Sequence, residues 1–225
     1  MKPKGIVSGI VSNLVTVQVD GPVAENELCY ISMGNTRLMA EVIKVNGKNA
    51  QIQVFESTRG LKNGDSVEFE GKMLEITLGP GLLSSVYDGL QNDLTTMEGV
   101  FLKRGEYTDP LDREKLWAFT PIAKPGDKVA AADWLGEVKE GWLPHTIMVP
   151  FSFKGEFTVK SIVPAGEYNV DHVIAVLTAA DGEDVDVTMT QKWPVKVAVR
   201  AYKEKPRPDK IMETGVRVID SFNPI

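Results

Sequence analysis

Acid–base, nucleophilic or metal chemistry in this sequence would have to start from two histidines, His145 and His172, one cysteine, Cys29, and the pair Ser84-Ser85. Their spacing supports none of it. Each histidine lacks the Cys or second His at the short spacings that zinc motifs require. Neither serine lies in a Gly-x-Ser-x-Gly elbow, so both read as surface serines of a short helix. The acidic run Asp181-Gly182-Glu183-Asp184-Val185-Asp186 places carboxylates at alternating positions, as a calcium loop does. It lacks the twelve-residue loop and its closing glutamate, and reads as a solvated loop entering a strand. The Leu78-Gly79-Pro80-Gly81 turn has two readings. Glycines can let backbone amides cradle a phosphate, or they can turn a strand into a helix, and no Lys-Ser/Thr follows to hold the phosphate. No catalytic, cofactor-binding or metal-ligating residue is therefore assigned.

The composition excludes several classes. With 43% hydrophobic and 25% charged residues in 225 positions, the chain can bury a core and is not disordered. A net charge of −6 and the lack of any Lys/Arg run offer no footprint for nucleic acid. No apolar stretch approaches the roughly 20 residues that cross a bilayer, so direct membrane insertion is not expected. One cysteine and no charged-then-apolar leader point to a reducing, cytoplasmic location.

Four elements would position whatever these residues do. Val15, Val17 and Val19 alternate with Thr16, Gln18 and Asp20, which is the period of a half-buried strand. Strands over 40–45, 50–55, 66–69 and 73–78, with turns at Asn46-Gly47 and Asn63-Gly64, predict a small closed β-barrel over residues 1–76. Leu82, Val86 and Leu90 fall four apart, predicting a short helix within a linker over 77–112. Between Ala123 and Leu177 the chain repeats at an offset of 39: Pro125 with Pro164, Val129 with Tyr168, Leu135 with Ile174, Val138 with Leu177. Each half reads turn, strand, turn, strand, which predicts a β-rich domain over 113–186 resembling a barrel-sandwich hybrid. A return segment over 187–225 follows, with Val195, Val197 and Val199 alternating as a strand before a loop at Pro206 and Pro208. Its tail is expected to be mobile or to pack on a neighbour.

Two halves of this kind also form lipoyl and biotinyl carriers, which present a modifiable lysine on a hairpin. Lys139, in Val138-Lys139-Glu140-Gly141, is the candidate for that reading. It lacks the hydrophobic neighbours of carrier lysines, and a solvated turn lysine is its plainer reading.

Three ordered segments carry a family resemblance: Leu78-Gly79-Pro80-Gly81-Leu82-Leu83-Ser84-Ser85-Val86-Tyr87-Asp88-Gly89-Leu90-Gln91, Gln191-Lys192-Trp193-Pro194-Val195, and Thr214-Gly215-Val216-Arg217-Val218-Ile219-Asp220. In this order the chain resembles the N-terminal part of the catalytic A subunit (alpha chain) of V/A-type ATPases. The opening Gly5-Ile6-Val7, Val15-Thr16-Val17 and Ala24-Glu25-Asn26 is similar too. The resemblance implies an N-terminal barrel and an inserted bulge domain that serve hexamer assembly with B subunits and contact with the peripheral stalk. It implies that ATP and magnesium belong to the parent's Walker A loop, beyond Ile225. Gly-x-x-x-x-Gly-Lys-Ser/Thr does not occur in these 225 residues, so no ATP site is expected within them.

Overall fold

The computed structural model describes residues 2–96, 103–202, 204–205 and 207–223. Pro206 of the expected proline loop lies outside the described residues.

Period-two alternation is obeyed strictly in strand β2 (Leu14–Val19). Its three valines point into the barrel, with Val15 and Val17 fully buried. Around it stand β1 (Lys4–Val11), β3 (Glu27–Met33), β4 (Thr36–Asn46), β5 (Asn49–Val54) and β6 (Ser66–Met73). They close as an antiparallel barrel in the order β1-β2-β5-β4-β3-β6, with β6 returning to β1 through Lys4↔Glu68 and Ile6↔Ser66. Closure leaves no strand edge for another chain to extend. Ile31, Leu38, Ile52, Val67 and Phe69 fill the interior. At the expected Asn46-Gly47 turn, Asn46 pairs with Asn49 and Gly47 takes φ +60°, so the two-residue loop has glycine at its first position. One departure from alternation is Ile43, 43% exposed because a bulge between Val42 and Lys44 turns it out of the ladder.

Met73 ends β6, whereas β7 (Glu75–Leu78) leaves the barrel and pairs with β16 (Gln191–Pro194). These two strands form a neck. Between them hangs the second unit: β8 (Trp117–Pro121), β9 (Lys128–Val129), β10 (Trp134–Glu140), β11 (Leu143–Met148), β12 (Phe157–Ile162), β13 (Gly166–Tyr168), β14 (Ala175–Ala179) and β15 (Asp184–Val187). The 39-residue offset carries the first four of these onto the last four. The halves do not fold side by side. One sheet runs β11-β10-β8-β13 and the other β15-β14-β12-β9, so each half lends its short strand to the other's sheet. Leu135, Val159 and Leu177 pack in one core cluster, and Phe119, Val138 and Ile174 in the adjoining one.

The helix expected from Leu82, Val86 and Leu90 is not there. Residues 79–96 form turns and one isolated bridge, Tyr87↔Asp93. Gly81, Ser84 and Gln91 all adopt positive φ (+111°, +66° and +64°), which no continuous right-handed helix accommodates. The one short helix among the described residues is α1 (Arg217–Phe222), with no buried side chain. Nor do Val195, Val197 and Val199 form a strand. They are 50%, 41% and 38% exposed, and Val197 N–H turns back to the Pro194 carbonyl. Alternation alone, with no neighbouring strand to pair with, does not make a ladder.

Candidate functional site

The structure brings two of the three quoted motifs together. Leu78 pairs with Gln191, Thr77 with Lys192 and Ile76 with Trp193, so the Gly-Pro-Gly loop and the Trp-Pro segment spring from one neck. Trp193 is extended, as a residue before proline should be. Its indole N–H donates to the Val197 carbonyl at 2.7 Å and its ring meets Phe151 edge-on at 5.7 Å. Gln91 finishes the neck's outer edge. Its amide donates to the Thr77 carbonyl and accepts from the Thr77 N–H, both at 2.7 Å, standing in for a missing strand. The third motif stays apart: Asp220 caps its own segment, accepting from Thr214 Oγ1 at 2.7 Å and from Gly215 N–H at 3.0 Å.

The Gly79–Leu83 loop is held by a residue the sequence reading did not single out. Glu140, 6% exposed, accepts at Oε1 from Gly81 N–H at 2.6 Å and from Leu83 N–H at 3.1 Å. Its Oε2 lies 2.6 Å from His145 Nδ1 on the paired strand β11. His145 is thus a structural partner of this carboxylate. The one available signal was that Glu140 shares the inward face of Val138 by period two. His145, Leu78, Leu82, Leu83, Ile147 and Phe151 line a mainly apolar cleft of about 260 Å³ beside this contact.

The remaining candidates stay separate. Ser84 and Ser85 lie in the turn after Gly81, far in sequence from either histidine. His172 stacks on Tyr168, centroids 4.7 Å apart. In the acidic run, Asp184 pairs with Lys160 and accepts from Thr178 Oγ1 at 2.7 Å, which holds its carboxyl below the usual range. Lys139 is exposed next to the β10–β11 tip, with its backbone paired to Pro144 and buried residues on both sides of it in β10. Cys29 is fully buried, donating weakly to the Ala40 carbonyl at 3.4 Å, and burial pushes its thiol far up.

The barrel is fastened to the linker and neck by polar contacts. Tyr107 donates to Glu56 at 2.6 Å and accepts from Met39 N–H at 3.0 Å. Burial, reinforced by Glu56, raises its phenol well above its ordinary value. Gly105 N–H also reaches Glu56, at 2.8 Å. Lys196 Nζ sits 2.9 Å from Oε1 of the buried Glu41 as an ion pair and donates to Asn26 Oδ1 at 2.9 Å. On the outer wall Ile6, Val11 and Leu14 are exposed, at 55%, 74% and 37%. On the second unit Trp142, at the β10–β11 tip, is 86% exposed. Each of the two β-units thus presents apolar side chains outward.

Residues 7–71, almost the whole barrel, match the family model for the ATP synthase alpha/beta family beta-barrel domain. Residues 108–196, from the linker to the end of the neck, match the ATP synthase alpha/beta subunit barrel-sandwich domain. The chain is 47% identical to the V-type ATP synthase alpha chains of Treponema denticola and of Borrelia duttonii, in each case over all of this chain but 38% and 40% of the relative. Against V-type ATP synthase alpha chain 1 of Treponema pallidum it is 47% identical over 99% of this chain and 38% of that one. The chain thus spans about two fifths of the curated relatives it matches. With both folds, both model matches and the identity running end to end, the chain belongs to the ATP synthase alpha/beta family and corresponds to the N-terminal part of its V-type alpha chains.

Proposed function

We propose that this polypeptide is the assembly portion of the catalytic subunit of a rotary ATP synthase, whose intact form couples ATP hydrolysis or synthesis to proton or sodium movement. The observation that carries this reading is the pairing of a closed barrel with a barrel-sandwich insert on one neck, over a chain 47% identical to V-type alpha chains. The barrel supplies the contact with neighbouring B subunits, and the sandwich domain reaches toward the peripheral stalk. ATP and magnesium bind elsewhere in the parent, since a phosphate cradle with its lysine and metal-binding hydroxyl is not among these residues. Attachment to the membrane is through the complex, and no helix among the described residues is long and apolar enough to cross a bilayer.

Titrating Mg-ATP into this chain by calorimetry, with phosphate release assayed in the same samples, tests the division of labour. Neither heat of binding nor turnover is expected, and micromolar binding or any turnover would overturn it. The carrier reading rests on exposed Lys139 in a sandwich of the right shape. Intact mass of the protein purified from cells is expected to be unmodified, and an acylated Lys139 would favour the carrier instead.

A further inference from the structure

We propose that Glu140 is a latch that fixes the angle between the barrel-sandwich domain and the neck that joins it to the barrel. This goes beyond the assembly reading and does not depend on it. The domain is an insertion, joined to the rest of the chain by the two-stranded neck and by the linker that precedes β8. A two-stranded ribbon is marginal by itself and twists easily, so something else must set the orientation. Glu140 lies at the end of β10, inside the sandwich domain, yet its Oε1 takes both N–H groups of the loop that continues β7, Gly81 and Leu83. Its Oε2 is held by His145 across the hairpin, which fixes the carboxylate before it reaches the loop.

A carboxylate 6% exposed is costly to bury unless each oxygen is bonded, and here each is. The loop can turn its N–H groups toward the carboxylate because Gly81 sits at φ +111°, with Leu111 and Trp117 beside it, close to where a Cβ would stand. A second link lies on the other neck strand, where Phe151 N–H donates to Gln191 Oε1 at 2.9 Å. The domain is therefore pinned to β16 and to the loop that continues β7, and the carboxylate pin is Glu140. Trp142, 86% exposed, occupies the tip between Glu140 and His145, so a contact made at the tip bears directly on the latch.

The test places one spin label on each unit, with Lys44→Cys on β4 and Thr158→Cys on β12, both exposed positions. Cys29 is fully buried and remains unlabelled. Dipolar spectroscopy of the otherwise unaltered chain is expected to give one narrow distance. Glu140→Gln keeps the acceptor at Oε1 and should preserve it. Glu140→Leu should lose the single distance, with the Gly81 and Leu83 amides exchanging about tenfold faster while Val138 and Leu177 stay protected. If Glu140→Leu does not fold, Glu140→Asp keeps the charge, shortens the reach, and should expose the same two amides. An unchanged narrow distance in the Leu or Asp variant would overturn the latch. So would loss of protection throughout both sandwich sheets in the Asp variant, because Glu140 would then merely hold its own domain together.

Discussion

Gly136 shows how little room single residues of this protein have. A Cβ there would stand 2.3 Å from Phe119 Cε2 and 2.7 Å from the Thr120 carbonyl, both parts of a packed sheet. Gly136→Ala should cost about 1–3 kcal/mol through overpacking, seen as a lower urea midpoint with unchanged slope. Cys29 should resist thiol reagents in the native protein and react only as the barrel opens, because burial, followed by Glu27 and Glu41, raises its thiol. Asp184 makes a pH-dependent contribution of known sign. Its carboxyl is depressed by Lys160 and then Thr178, so the stabilisation is complete above the ordinary carboxylate range and is lost as pH falls through the lowered value. Lys160→Ala should bring the Asp184 titration, followed by NMR, back up toward its usual position. Of the residues that matter, the sequence made the core valines visible through their period. Glu140 stayed hidden, because Lys-Glu-Gly at a hairpin has the composition of a solvated turn, and only the loop folding over it makes the side chain buried.

Secondary-structure elements were legible where a pattern had a partner. The 39-residue repeat was readable because each half must present the same apolar positions to one interior, and β8 to β11 do recur as β12 to β15. The exchange of β9 and β13 between sheets was not readable, since short strands carry no pairing information of their own. It has a consequence: residues 113–150 alone lack the strand that completes their sheet and should show no folded β signal by circular dichroism, whereas the full chain does. Spacing of four among Leu82, Val86 and Leu90 suggested a helix, but the left-handed residues Gly81, Ser84 and Gln91 break the chain into turns. Val195 to Val199 alternate without a strand beside them and stay irregular. In both places local period was outvoted by backbone conformation or by the absence of a ladder.

At the scale of the molecule, a closed barrel and a strand-exchanged sandwich share one neck, and each turns apolar side chains outward. Ile6, Val11 and Leu14 on the barrel wall and Trp142 on the sandwich tip are what such units would offer to partners. Fold and family were legible because the barrel turns, the internal repeat and three ordered motifs all pointed the same way; the neck that joins the two units was not, since its strands lie more than a hundred residues apart. The most direct test of the proposed assembly role is to mix this chain with the non-catalytic B subunit from the same source and measure the mass of the species by light scattering. The assembly role predicts a mixed complex that Ile6→Asp and Val11→Asp together weaken while the barrel stays folded. Two proteins that each keep their own mass at every ratio would contradict it.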